Sequence, residues 1–426
     1  MAKQVNDNSL GQNLKIINCL PEGIVKIPPS KSISHRALIC AALAGQSLVK
    51  NLGFSKDVQA TLNCLKAMGA QFSEQNAKTL IEKPISNPVA DTVLDCGESG
   101  STLRFLLPLA LVFGVPLSFT GQGRLLERPL GEYLSRLTEK GGHFDTEKGF
   151  IHVSGSLHAG VFKLSGQISS QFVTGLLMAL PLLKEDSEII ITSELESKAY
   201  VDLTVNVMQS FGVIIENRGY KHFIIKGGQS YKPCSYEVEG DFSAAAFFLV
   251  ASALGCKVSC VGLNPASLQG DRAIIDIIKN CGGQVSFNEA GEFTATAAKL
   301  KAVSVDVKDI PDLVPPLTAL LCFCEGESKI TGAARLRFKE SDRLHALATQ
   351  FNALGAKIEE LEDELIITGV EYLKGGVIDP HNDHRIAMAV AVASIKSTGL
   401  VKIAEPECVA KSYPAFWQDF CRIAKA

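Results

Sequence analysis

The stretch Pro29–Gly45 reads "PSKSISHRALICAALAG". Lys31, Ser32, Ser34, His35 and Arg36 crowd its first half, while Ala37–Ala44 carries no polar side chain apart from one thiol. A run that is apolar on every side belongs to a buried helix. Such a helix still begins with N–H groups that have no intrahelical partner and with a partial positive charge. Cations and hydroxyls placed at that start build a site for a small anion.

The same construction recurs. Polar leaders followed by apolar runs begin near residues 31, 97, 166, 239, 309 and 381, a period of about 70 residues. The later five are "GESGSTLRFLLPLALVFG", "SGQISSQFVTGLLMALPLL", "EGDFSAAAFFLVASALG", "DIPDLVPPLTALLCFCEG" and "HNDHRIAMAVAVASIKSTG". Each is followed by a short β-type run, a polar loop and a second segment. In the first five copies that segment is amphipathic and ends in Gly, a C-cap signal; "FWQDFCRIAKA" ends the chain. Internal repetition at a fixed period is the most informative feature a sequence can carry. Six similar α/β units are expected, three per domain, with the first helix of each buried and the second at the surface. If the buried helices run parallel, their starts converge on one face of each domain.

Size and composition agree. A chain of 426 residues suits two domains rather than one core. The net charge of -3 argues against bulk nucleic-acid binding, so clustered cations suit a small anion. "AAAFFLVASALG" is too short to span a membrane, and "LRFLLPLALVFG" is interrupted by Pro108. "MAKQVNDNSLGQN" has no hydrophobic core, so no secretory signal is read there. The 12 cysteines are scattered, without metal-ligand spacing, and read as buried thiols in a reducing cytosol.

Single leaders have plain readings. "SKSISHR" could be a capped helix with a solvated charge cluster, "GQISSQF" an ordinary N-cap, and Asp309 and Asp312 capping carboxylates. "CGESGSTLR" is a small-residue turn that could approach phosphate, but it is not a P-loop. Charge runs such as "GRLLERPL", "ARLRFKESDR", "NDHRIAM" and "VAKSYP" usually mark solvated faces. That reading fits poorly where they fall between strand and helix in corresponding places of several repeats. Asp312, beside Lys31, Lys339 and Glu340, could also be a general base.

Ten stretches in order resemble the 5-enolpyruvylshikimate-3-phosphate synthase family: "PPSKSISHRAL", "GESGSTLRF", "GRLLERPL", "SGQISSQF", "ESKAYVDLT", "EGDFSAAAF", "DIPDLVPPL", "RLRFKESDRL", "NDHRIAMA" and "AKSYP". The resemblance implies a two-domain inside-out α/β barrel, each domain built of three βαβαββ units. The domains would be residues 29–239 and residues 1–28 plus 240–426, with the active site in the cleft. It implies enolpyruvyl transfer from phosphoenolpyruvate to shikimate 3-phosphate, without metal or organic cofactor, by a cytoplasmic monomer that has no nucleic-acid or membrane partner. Lys31, Ser32, Arg36, Ser169, Ser170, Gln171, Ser197, Tyr200, Asp312 and Lys339 would bind shikimate 3-phosphate. Lys31, Gly100, Arg128, Gln171, Arg343, Arg385 and Lys411 would bind phosphoenolpyruvate. Glu340 would donate a proton, which needs a raised pKa that desolvation on closure could supply, and Asp312, assisted by Lys31, would accept one. Gly100 goes with sensitivity to glyphosate in this family. Two positions depart from the pattern: Glu98 stands where many members have Asn, and Arg335 where some have Asn. Three rivals are a transferase acting on UDP-N-acetylglucosamine, which would need a loop cysteine, an RNA 3'-phosphate cyclase using His384, and a non-catalytic anion binder.

Overall fold

The computed structural model describes residues 14–17, 19–75, 78–86, 88–297 and 299–422. The N-terminal stretch read for a signal, residues 1–13, lies outside them, as do residues 423–426.

The six apolar runs form helices α1 (Lys31–Ala44), α3 (Gly100–Phe113), α5 (Ser170–Ala179), α7 (Phe242–Ala253), α9 (Val314–Leu321) and α11 (His384–Ala393). The helices between them are α2 (Lys56–Ala67), α4 (Gly131–Thr138), α6 (Lys198–Ser210), α8 (Ile274–Asn280), α10 (Arg343–Ala353) and α12 (Phe416–Arg422). Burial separates the two sets. Phe242 and Ala244–Ala253 of α7 are all buried, whereas α4 buries only Tyr133 and Leu137. Each fully buried Phe or Leu contributes roughly 1.5–3 kcal/mol. Glycines close the second helices where the chain must turn left-handed, as at Gly69 (φ +99°) and Gly355 (φ +92°).

Among the described residues the strands form five four-stranded sheets and one of three strands. In one, Val161–Leu164 runs parallel to Ser187–Ile191. Ser187–Ile191 then pairs antiparallel with His222–Ile225, and that strand with Ile215–Arg218. The other four-stranded sheets repeat this order of one parallel and two antiparallel pairings. This is a mixed α/β fold. Three sheets take a strand from far along the chain: Leu14–Ile17 joins Val401–Ala404 in the three-stranded sheet, and among the four-stranded ones Ser235–Glu237 joins Ser47–Lys50 and Gly23–Lys26 joins Val258–Val261. The segments between them lie side by side, with Ser30 N donating to Glu239 O (2.8 Å) and Asp241 N to Pro28 O (2.9 Å). Buried apolar residues fall into two clusters, one within residues 33–238 and one drawn from residues 17–27 and 242–420.

Pro108 does not interrupt α3. A proline inside a helix deprives the carbonyl four residues earlier of its donor. Here that carbonyl, on Arg104, accepts from the Tyr133 hydroxyl (3.1 Å) instead. A Cβ at Gly175 would stand 2.4 Å from both atoms, so this position requires glycine. The cysteines are also less scattered than their spacing suggests: the Cys19 and Cys421 sulfurs lie 2.6 Å apart.

Candidate active site

One cavity of about 330 Å³ receives the starts of α1, α3, α5, α6, α10 and α11 and the turn before α9. Its size and its few convergent charges suit a small-molecule site. The leader of α7 is the exception. Asp241 caps that helix through Ser243 N (2.8 Å) and also accepts from Lys31 N (3.0 Å), and it does not line the cavity. That carboxylate anchors the start of α1 at the crossing segments.

The cavity wall from the first cluster is cationic and hydroxylic. It carries Lys31, Ser32, Arg36, Gly100, Arg128, Ser169, Ser170, Gln171, Ser197 and Tyr200. Lys31 Nζ donates to Asp57 Oδ2 (2.8 Å). Arg36 donates to Thr204 Oγ1 (2.8 Å), Ser32 O (2.7 Å) and Tyr200 O (3.0 Å). It also lies 5.1 Å over the Phe105 ring, so its guanidinium is fixed in place. Ser169 caps α5 through Gln171 N (3.2 Å), and Gln171 Nε2 donates to Ser101 Oγ (3.0 Å). Arg104 and Arg128 flank Gly100, where a Cβ would meet Arg104 Nη1 at 2.5 Å and Arg128 Nη1 at 3.1 Å. Among the described residues Arg104 Nε and Arg128 Nε and Nη2 are buried without hydrogen-bond partners. Buried guanidinium groups with unmet donors beside a cavity suit an anion.

The opposite wall carries Asp312, Lys339, Glu340, Arg343 and Arg385. Arg343, only 1% exposed, binds three carboxylates: Glu340 Oε2 (2.6 Å), Asp383 Oδ2 (2.8 Å) and Asp312 Oδ1 (3.1 Å). Arg385 holds the other Asp312 oxygen (2.9 Å), which also accepts from the Tyr200 hydroxyl (3.0 Å). Asp312 and Asp309 are therefore not caps of α9; Asp309 instead accepts from Lys198 N (3.0 Å).

Without ligand, this network outweighs desolvation. Burial alone would raise the Glu340 carboxyl, but Arg343, Arg128, His384 and Lys31 overcome it and hold Glu340 well below the usual carboxylate range. The guanidinium 2.6 Å away stabilises the anion more than desolvation penalises it. Asp312 is likewise held far down: burial opposes, while Arg385, Lys339, Arg343 and Lys31 prevail. Burial pushes the Lys339 ammonium down to about 8 against the pull of Asp312.

Of the residues expected from sequence, all line this cavity except Lys411, whose Nζ donates to Glu98 Oε2 (2.7 Å) and Asn382 O (2.6 Å). Arg335 lines the cavity while paired with Glu196 (2.6 Å), and Arg337 turns away to Asp342 and Glu360. Three contributors were missed. Arg104 follows Gly100 by four residues and so shares its helix face, a legible signal. Asp383 precedes α11 at a capping position, another such signal. Asp57 left none, because its role depends on where α2 packs. Two of the rivals find no residue here: no cysteine lines the cavity, Cys96 at the α3 leader being buried with its thiol pKa raised, and His384 is buried outside the lining with its imidazole pKa lowered. Among the described residues no group of three His, Cys, Asp or Glu could hold a metal ion, and no helix is long and apolar enough to cross a membrane.

Comparison with known proteins bears on the family and the fold. The family model for EPSP synthase (3-phosphoshikimate 1-carboxyvinyltransferase) matches residues 20–420. A 3-phosphoshikimate 1-carboxyvinyltransferase of Clostridium perfringens is 47% identical over 405 residues, covering 94% of this chain and 95% of that protein. One from Clostridium kluyveri is 48% identical over 402 residues, covering 94% of each. The EPSP synthase structure from Acinetobacter baumannii superposes with a TM-score of 0.80 at 27% identity, covering 97% of this chain and 98% of that one. With its whole fold and nearly its whole length matched, this chain belongs to the EPSP synthase (3-phosphoshikimate 1-carboxyvinyltransferase) family.

Proposed function

We infer that the chain transfers the enolpyruvyl group of phosphoenolpyruvate to the 5-hydroxyl of shikimate 3-phosphate, releasing phosphate. The step lies in the shikimate pathway to chorismate and aromatic amino acids. One observation carries the reading beyond family membership. Arg104 and Arg128, whose buried guanidiniums keep donors without hydrogen-bond partners, line the same cavity in which Glu340 and Asp312 sit among cations. Anion binding and proton handling thus share one enclosed space.

The roles follow from the chemistry of each side chain. Lys31, Ser32, Arg36, Ser169, Ser170, Gln171, Ser197, Tyr200 and Lys339 suit a phosphorylated polyol, through ammonium, hydroxyl and amide groups. Arg128, Arg343, Arg385, Gln171 and Lys31 suit the carboxylate and phosphate of phosphoenolpyruvate, and Gly100 leaves room for it. Lys411 adds a cation beside them. Glu340 delivers a proton to the methylene carbon as the 5-oxygen bonds to the adjacent carbon. Asp312, with Lys31, takes the hydroxyl proton. Collapse of the tetrahedral intermediate expels phosphate and returns the methyl proton to Glu340. Fixed cations stabilise the charge that develops. Glu340 must first be protonated. Donor anions that engage Arg343 and Arg128 weaken the hold on its carboxylate, and burial then favours the neutral acid.

The architecture belongs to the same reading: an inside-out barrel of two domains, residues 29–239 and residues 1–28 plus 240–426, each of three βαβαββ units. The two buried clusters and the paired crossing segments support it. The enzyme acts as a cytoplasmic monomer, and glyphosate inhibits it competitively with phosphoenolpyruvate.

Phosphate release from phosphoenolpyruvate tests the activity, with shikimate 3-phosphate or UDP-N-acetylglucosamine as acceptor. Release with shikimate 3-phosphate alone is expected. Release with only the sugar nucleotide, or with neither, overturns it.

A further inference from the structure

Glu98, the unusual acid in the "GESGS" turn, has found partners across the molecule. Its carboxylate accepts from Lys411 Nζ (2.7 Å) and from Asn382 Nδ2 (3.2 and 3.4 Å). Lys411 Nζ donates in turn to the Asn382 carbonyl (2.6 Å), closing a triangle. The ammonium side chain is 7% exposed and the carboxylate 18%. Asn382 adopts a left-handed backbone (φ +54°) in the turn that leads into Asp383 and Arg385. Glu98 also lies against Gly123, where a Cβ would meet Oε2 at 2.8 Å. The carboxylate is thus wedged between the loop preceding Arg128 and two elements of the other cluster.

A lysine side chain loses rotamer entropy when its ammonium is held in one place. A cation that is held in advance does not incur that loss when an anion arrives. We propose that Glu98 is a positioning residue that fixes the Lys411 ammonium beside the cavity, so that it serves phosphoenolpyruvate binding through Lys411. This rests on the proposed function only for the identity of the anion. A merely competing carboxylate would have the opposite effect, since its removal would free the lysine and tighten binding.

Two measurements on Glu98→Ala and Glu98→Gln test it. The first is reductive dimethylation with formaldehyde and cyanoborohydride, quantified at Lys411 by peptide mass spectrometry. Labelling of Lys411 is expected to rise roughly fivefold in Glu98→Ala relative to the other lysines, and less in Glu98→Gln, whose amide oxygen still accepts. The second is steady-state kinetics. The KM for phosphoenolpyruvate should rise roughly tenfold in Glu98→Ala, with kcat within about twofold and partial rescue by Gln. Unchanged labelling overturns the positioning role. Raised labelling with an unchanged or lowered KM overturns the link to the donor. A wild-type enzyme that labels as expected but releases no phosphate overturns the proposed function instead, and leaves Glu98 as the holder of Lys411.

Discussion

The two walls of the cavity are built on opposite electrostatic plans. The wall from the first cluster holds guanidinium groups with unmet donors, at Arg104 and Arg128. The wall from the second is internally balanced, with Arg343 and Arg385 already bound to Asp312, Glu340 and Asp383. The first is arranged to receive an anion. The second is arranged to hold two carboxylates ionised until an incoming anion competes for their arginines. A removed side chain should therefore cost binding on the first wall, and both stability and proton transfer on the second.

Arg343 gives the most severe test. Its loss takes the nearest cation from Glu340 and Asp383 in a buried site and leaves Asp312 to Arg385, so Arg343→Met should destabilise the protein by about 3–5 kcal/mol. Denaturant unfolding measures this, and a change below about 1 kcal/mol would mean that solvent already screens the network. Turnover separates the walls next. Glu340→Gln keeps the shape and removes the acid, so kcat should fall by about 10²-fold or more while shikimate 3-phosphate still binds. Lost binding would instead make Glu340 part of the acceptor site.

On the first wall, Gly100→Ala sets a methyl 2.5 Å from Arg104 Nη1 and 3.1 Å from Arg128 Nη1. Displaced guanidiniums should raise the KM for phosphoenolpyruvate roughly tenfold, equivalent to about 1.4 kcal/mol, and weaken glyphosate inhibition in parallel. An effect confined to kcat would break the division of labour between the walls. The smallest effect is one of pH. With its pKa near 8, Lys339 is charged below that pH and loses its charge as pH rises through it. Affinity for shikimate 3-phosphate should fall over the same interval by roughly threefold. Lys339→Arg should remove this limb, because a guanidinium stays charged there. A limb that persists in Lys339→Arg would assign the titration to another group.

The helices were legible because their signals are local. Apolar runs of 8–14 residues, hydroxyls or carboxylates ahead of them and glycines after the second helices state where each begins and ends. The pocket was legible because the polar leaders stand at helix starts, and most of those starts meet at one cavity. Pro108 was misread as an interruption, since the hydroxyl that relieves it, on Tyr133, lies 25 residues away. The α7 leader was expected at a helix mouth like the others, but its Asp241 serves the crossing segments. Nothing local to either position records these pairings.

The sequence by itself determined which residues are helical, which helices are buried, and which side chains stand at their starts, because periodicity and capping depend on neighbours a few residues apart. Tertiary structure alone decided the charge states and the partnerships. Whether Glu340 is raised or lowered depends on the balance between desolvation and an arginine 2.6 Å away. Likewise Glu98 and Lys411, 313 positions apart, meet only because the two clusters pack together. Electrostatic energies depend on distance in space and on burial, and these are properties of the fold.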